Sequence, residues 1–440
     1  MRLAGPVPRL QGAGRRLRRR RTTKDGLTGE RGRIAVTTAN PDDLRTRRHG
    51  WFSAVREALD RPLAAYYLLL ASSALLLTIG LIMVLSASSV WSYTTYGNSY
   101  SVVERQLVWV VVGVPCAYVS ARMTQRWVRR LAWLAYLFSC ALLLLTVFLG
   151  HAANGNQNWL GAGPVSVQPS EIAKLSLILW ASHVYALKDR RLGSLHHVIM
   201  PVVPGFVAAT GLVLAGRDLG TALVFFAILL GMLWVVGAPA RLFGLAISMI
   251  GVVVVFLVGT DPERLTRITS FTDPFKQFHD AGWQPAHGLY ALSTGGWFGQ
   301  GIGASQQKWG DLPEAHTDFI FAVLGEELGL VGTLLVIALF LTLAYACIKI
   351  ARQAQSSFVR YFTFGVVVWL IGQMMLNVGM VLALLPVIGL PLPLVSYGGS
   401  ALLPSLVAIG LILGFARRQP EAAAALAQRK KSRSAGLSAR

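Results

Sequence analysis

An ionisable side chain inside a long apolar run is costly, so each one in such a place has to be accounted for. The stretch richest in them is Leu312 to Gly329, LPEAHTDFIFAVLGEELG. It sets His316, Thr317 and Asp318 at the edge of an apolar run and Glu326 and Glu327 about two turns further in. A partly dehydrated carboxylate has its pKa raised, which suits a general base. The commoner use of Thr or Asp at such an edge is as a helix N-cap, and on composition alone the cap leads for Thr317 and Asp318. Glu326 and Glu327 read as hydrogen-bonded to polar groups of a neighbouring helix, such as Gln373 or Asn377.

Three further places carry chemistry-bearing residues. In Gln168-Pro169-Ser170-Glu171-Ile172-Ala173-Lys174, Pro169 opens a helix and Ser170 is a candidate N-cap. Glu171 and Lys174 share a face, either as a local ion pair or lining a polar cavity for an anionic or sugar ligand. Asp218, after Arg217, opens another apolar run and reads first as a cap, with a binding role second. Residues 386–399, PVIGLPLPLVSYGG, interrupt the apolar pattern around Ser396. Irregular backbone at membrane depth is tolerated only where it is buried in protein or lines a cavity, the alternative being a plain external loop. There is no P-loop, Rossmann glycine run, HExxH or GxSxG.

The elements that must position these residues are membrane spans. Of 440 residues, 54% are hydrophobic and only 14% charged, unlike a soluble domain. Apolar runs lie near 63–89, 107–121, 131–150, 171–187, 197–215, 219–237, 241–259, 319–348, 361–385 and 400–416. The fold expected is an all-α polytopic membrane protein with about ten transmembrane helices. With the N-terminus cytoplasmic, ten spans place four basic groups inside: Arg122 with Arg126, Arg129 and Arg130; Lys188 with Arg190 and Arg191; Arg241; and Lys349 with Arg352 and Arg360. The basic tail 419–440 also falls inside, and a large polar loop, 260–318, falls outside. Its Trp283, Trp297 and Trp309 suit a headgroup interface.

Residues 1–50 read as a disordered basic cytoplasmic arm and 51–62 as an interfacial amphipathic helix. The formal net charge of +21 is concentrated in the arms, which suits anionic headgroups and orientation control better than nucleic acid. No cleavable signal peptide is read ahead of the first apolar run. Cys116, Cys140 and Cys347 lie inside apolar runs without metal-ligand spacing and read as small buried residues.

Five blocks, in order, resemble the SEDS family (shape, elongation, division and sporulation) of membrane glycosyltransferases. They are Gln168 to Lys174, Asp218 to Ala222 (DLGTA), Gly295 to Gly303 (GGWFGQGIG), Leu312 to Gly329, and Pro391 to Ser400 (PLPLVSYGGS). The resemblance covers roughly residues 63–418, and the wording around Asp318 is similar to the division branch rather than the elongation branch. The chain departs from the family pattern at Gly216-Arg217 and at Gln157-Asn158-Trp159.

The resemblance implies polymerisation of lipid II into glycan strands at the outer face of the cytoplasmic membrane during division. It also implies partnership with a class B penicillin-binding transpeptidase and other division-complex membrane proteins. It places the family's essential aspartate on Asp318, which displaces the cap reading. The substrate contacts expected are Glu171, Lys174, Asp218, Lys308, His316, Thr317 and Ser396. Candidates to neutralise the leaving pyrophosphate are Lys174, Arg217, Arg264, Arg267 and Lys308, with a divalent cation (Mg or Mn) as the candidate cofactor, although no metal-ligand cluster is visible. The rival readings are a lipid II flippase, using Glu171, Lys174, Glu326 and Glu327 as a headgroup path, and a non-catalytic division scaffold.

Overall fold

A computed structural model of the chain describes residues 53, 57, 59–153, 156–162, 165–260, 265–266, 271 and 273–428. The basic arm, most of the expected interfacial helix, Arg264, Arg267 and the end of the tail lie outside the described residues.

The described chain is almost wholly helical. In order come α1 (Ala64–Tyr96), α2 (Ser101–Arg122), α3 (Gln125–Leu149), α4 (Pro169–Leu187), α5 (Leu195–Ile199), α6 (Val202–Ala215), α7 (Leu219–Val235) and α8 (Ala240–Gly259). They are followed by α9 (Trp283–Gly295), α10 (Ile320–Gln353), α11 (Ser357–Val381) and α12 (Gly399–Arg417). Among the described residues, eight helical stretches are long and apolar enough to cross a membrane, α5 and α6 counting together as one. The 17-residue α7 and the more polar α4 complete the expected ten. Glu171, Lys174 and His183 lower the hydropathy of α4, and burial of most of its residues among the other helices makes that polarity tolerable.

Helices pack here through small residues, because lipid supplies no hydrophobic drive for association. A Cβ on Gly410 or Gly414 of α12 would stand 2.2 or 2.3 Å from the carbonyl oxygen of Ala117 or Ala121 on α2. By contrast, α8 buries only Val258 and leaves its other side chains to the lipid or half-covered.

The basic loops gather on one face. Arg418, just after α12, donates to the carbonyls of Ala121, Arg122 and Met123 at the α2–α3 turn. The same turn meets the α10–α11 turn through Gln125 and Ser356, 2.6 Å apart. Asp189, after α4, accepts from Ser357 (2.7 Å) and Tyr361 (2.5 Å) at the start of α11. Lys349, near the end of α10, donates to the Leu59 carbonyl just ahead of α1.

The opposite face carries irregular structure. Between α3 and α4, three short strands form an antiparallel sheet in the order β1 (His151–Ala153), β2 (Asn156–Ala162), β3 (Val165–Val167), with His151 opposite Trp159 and Leu160 opposite Val167. The long loop after α8 is built onto α10. A Cβ on Gly295, the last residue of α9, would collide with the Gly325 carbonyl.

Helix α10 is broken at Gly329, whose φ of 67° and ψ of −167° suit a residue without a Cβ. The loop satisfies the backbone freed by the break. Gln300 and Gly301 donate to the carbonyls of Glu326 and Glu327 at 2.9 and 3.0 Å, and Leu330 and Val331 donate to Gly296 and Trp297 at 2.9 and 3.1 Å. Trp297 and Trp309 are exposed, whereas Trp283 is half-buried and donates to the Asp311 carbonyl.

Candidate active site

Asp318 stands two residues ahead of α10, on the face opposite the basic loops. It is not a cap: the N-cap position is Phe319, with no side-chain cap hydrogen bond. Among the described residues no group donates a hydrogen bond to its carboxylate, and the residue keeps partial access to the surface. Burial pushes its carboxyl up to about 7, and the negative charge of Glu314 adds to the rise. A carboxyl that titrates near neutrality and remains reachable is suited to accept a proton. Its Oδ2 faces the backbone of Gly389, where an added Cβ would lie 3.3 Å away and the φ of +74° already favours glycine.

His316, Thr317 and Ser396 gather around it. The His316 ring stacks on Trp91 of α1 at 5.1 Å and lies 5.6 Å from Tyr397. Burial holds its imidazole below the ordinary value, so the ring is neutral near pH 7 and keeps one donor and one acceptor. Thr317 donates its hydroxyl to the Glu314 carboxylate at 2.6 Å. Ser396 donates to the Thr317 carbonyl at 2.6 Å and accepts from the Leu392 backbone N–H at 2.8 Å, which spends its hydroxyl on the backbone. The segment 386–398 is no plain external loop, since Leu390, Leu392, Leu394, Val395 and Ser396 are buried.

The remaining expected residues lie elsewhere. Lys174 is fully buried, 2.7 Å from Glu171 and 3.0 Å from the Gln373 side-chain oxygen, so the local ion pair forms. Asp218 is the N-cap of α7, accepting from the Thr221 N–H (2.9 Å) and hydroxyl (2.8 Å), and from Asn158 (3.0 Å) and Gln168 (3.3 Å). Lys308 is buried against Glu327 (3.0 Å), Ser86 (3.1 Å) and the Gly303 carbonyl (2.7 Å).

Two sequence readings are corrected. Glu326 and Glu327 do not meet Gln373 or Asn377. Glu326 accepts from Ser305 (2.5 Å) and the Gln306 N–H (2.9 Å), and Glu327 accepts through Oε1 from Ser86 (2.5 Å) and Lys308, so their partners come from the loop and α1. Ser170 is not a cap either: Gln168 holds that position, and the Ser170 hydroxyl has no partner among the described residues.

The sequence matches the cell cycle protein family FTSW_RODA_SPOVE over residues 66–421. The chain belongs to this family. It is 39% identical over 392 residues to the probable peptidoglycan glycosyltransferase FtsW of Mycobacterium tuberculosis, covering 88% of this chain and 74% of that protein. It is 36% identical over 354 residues to the stage V sporulation protein E of Bacillus subtilis, covering 80% and 96%. Among solved structures it is similar to a chain of a peptidoglycan synthase complex that coordinates polymerization and crosslinking, with a TM-score of 0.66 and 28% identity over 80% of this chain and 97% of that one. It is also similar to the rod shape determining protein RodA of Thermus thermophilus, with a TM-score of 0.60 and 27% identity over 80% and 96%.

The two departures of this SEDS protein from the family pattern meet in space. The Gln157 N–H donates to the Gly216 carbonyl at 3.0 Å, and a Cβ on Gly216 would stand 2.7 Å from the Gln157 oxygen. Sequence reasoning also passed over several residues around Asp318. Trp91 stacks on His316, Tyr397 lies tilted beside the same ring, and Arg105 lies 4.6 Å over the Tyr96 ring beside Tyr397. Aromatic residues near a membrane surface read as belt residues, so nothing in their spacing marked them.

Among the described residues no three His, Cys, Asp or Glu side chains come together to hold a metal ion. The described residues supply no all-protein cage. A hard divalent cation would take one or two carboxylates with the oxygens of a phosphorylated substrate, and Glu314 is the carboxylate by the site other than Asp318.

Proposed function

We propose that this multi-pass cytoplasmic membrane protein is a peptidoglycan glycosyltransferase that polymerises lipid II at the outer face of the membrane, with Asp318 as general base. The single observation that carries the mechanism is a reachable carboxylate, without hydrogen-bond donors among the described residues, held near neutral pKa on the face opposite the basic loops. Family membership and the names of the relatives support the reaction class. Basic loops orient a membrane protein toward the cytoplasm, which supports Asp318 lying outside and both termini inside.

In the reaction the acceptor's sugar 4-hydroxyl gives its proton to Asp318. The oxygen forms a bond to the donor's anomeric carbon, whose bond to pyrophosphate breaks with inversion, and undecaprenyl pyrophosphate leaves. Base catalysis supplies about 10²–10⁴-fold, and alignment of the two sugars supplies much of the rest. His316, Thr317 and Ser396 shape the floor around the base. Lys174 and Lys308 are engaged with carboxylates, so Arg105, over the Tyr96 ring and beside Tyr397, is the basic side chain better placed to meet phosphate. A divalent cation, Mg²⁺ or Mn²⁺, would add charge neutralisation at the pyrophosphate.

A class B penicillin-binding transpeptidase is the proposed partner, supported by the similarity to a complex that joins polymerization to crosslinking. The similarity to FtsW proteins supports work at the division septum with other division-complex proteins. The test is glycan-chain formation from lipid II by purified protein. Asp318→Asn should stay folded and form no glycan strands; strands of normal length from that variant would exclude the base role.

A further inference from the structure

Asn377 lies on α11 with no exposed surface. Its side-chain Nδ2 donates to two backbone carbonyls at once, that of Asp318 at 2.7 Å and that of Leu390 at 2.7 Å. The opposite amide orientation would set Oδ1 against two carbonyl oxygens, so the hydrogen-bond network fixes which way the group points. The consequence is a buried Oδ1 with no partner among the described residues. Buried acceptors are rarely left unmet; here that follows from aiming both N–H bonds at one place.

That place is the junction of two segments that share no helix. Asp318 ends the long loop, and Leu390 follows Gly389, whose backbone faces the Asp318 carboxylate. One turn earlier on the same face of α11, Gln373 donates to the Pro391 carbonyl at 2.8 Å and is held by Lys174 and Trp369 at 3.0 Å each. Gln373 therefore anchors the broken segment alone, while Asn377 ties it to the peptide of the proposed base. Ser396 adds a second tie one residue away, at the Thr317 carbonyl.

We propose that Asn377 is a positioning residue for polymerisation: by holding the carbonyls of Asp318 and Leu390 together, it fixes the base against Gly389 without touching substrate. The inference rests on the reading of Asp318 as the base. Misplacing a reacting group by an ångström costs about 10²-fold in rate, so loss of this tie acts on turnover rather than on substrate binding.

The test uses the full-length protein with Asn377→Asp, close in volume to asparagine, and Asn377→Leu, which keeps the branched shape but is larger and has no donor, with Asp318→Asn alongside. The readouts are kcat and KM for lipid II and the melting temperature in detergent. The expected result is a fall in kcat of about 10- to 100-fold, with KM and melting temperature near wild type in at least one variant. Wild-type kcat in either folded variant overturns the proposal. A joint loss of kcat, lipid II binding and melting temperature in both variants also overturns it, because Asn377 would then only hold the fold. An inactive Asp318→Asn beside normally active Asn377 variants removes the positioning role and leaves the base; an active Asp318→Asn removes both.

Discussion

At the scale of single residues, the proposed chemistry turns on the charge state of Asp318. Its carboxyl titrates at about 7 because burial disfavours the anion and Glu314 adds like charge. A base works only when deprotonated, so polymerisation should fall as pH drops through about 7 and level off above it; a rate unchanged between pH 5.5 and 8 would contradict this. Glu314→Gln removes the neighbouring negative charge, lowers the Asp318 pKa and should move the acid limb toward lower pH. The pH–rate profile of kcat measures both effects. Asp318 was singled out in the sequence by the family resemblance its neighbours carry, since composition alone favoured a cap. Asn377 was not, since an asparagine within an apolar run shows only that some polar partner exists, and the partners proved to be backbone carbonyls from two distant segments.

At the scale of elements, the long loop is fastened to the break in α10 by backbone pairing and by the buried group of Lys308, Glu327, Glu326, Ser305 and Ser86. Lys308→Met leaves Glu327 buried beside no cation and should cost about 3–5 kcal/mol, seen as a lower melting temperature in detergent. Lys308→Met with Glu327→Leu replaces the pair by apolar groups and should recover most of the loss; a double variant as unstable as the single one would show that the charge pair is not the cause. Gly329→Ala would push a Cβ to within 2.4 Å of the Gly299 nitrogen at a positive φ, and loosening of the loop by limited proteolysis should follow. The spans were readable because run length in lipid is set by bilayer thickness. The helices overran the apolar runs, α1 reaching Tyr96 and α2 starting at Ser101, because helical hydrogen bonding continues past the hydrocarbon edge. The three strands and the stitch at Gly329 escaped notice because neither produces a hydrophobic period. The partners of Glu326 and Glu327 were misjudged for a related reason: which neighbour a helix face meets is a tertiary fact.

At the scale of the whole molecule, the proposed chemistry requires Asp318 and the basic loops to lie on opposite sides of the bilayer. The α2–α3 turn, the end of α4, the α10–α11 turn and the start of the tail are hydrogen-bonded to one another. They therefore share a side, and their Lys and Arg residues make the cytoplasmic side the one proposed for it. Substituted cysteines test the assignment directly. Asp311→Cys, exposed in the loop leading to Asp318, should react with a membrane-impermeant maleimide in intact spheroplasts. Arg352→Cys, exposed at the end of α10, should react only after permeabilisation. The wild-type chain is the blank, since Cys116, Cys140 and Cys347 all lie within membrane helices. The reverse pattern would place the carboxylate in the cytosol, where a strand built for the wall could not be laid down, and the glycosyltransferase mechanism drawn around Asp318 would have to be abandoned even if both variants folded normally.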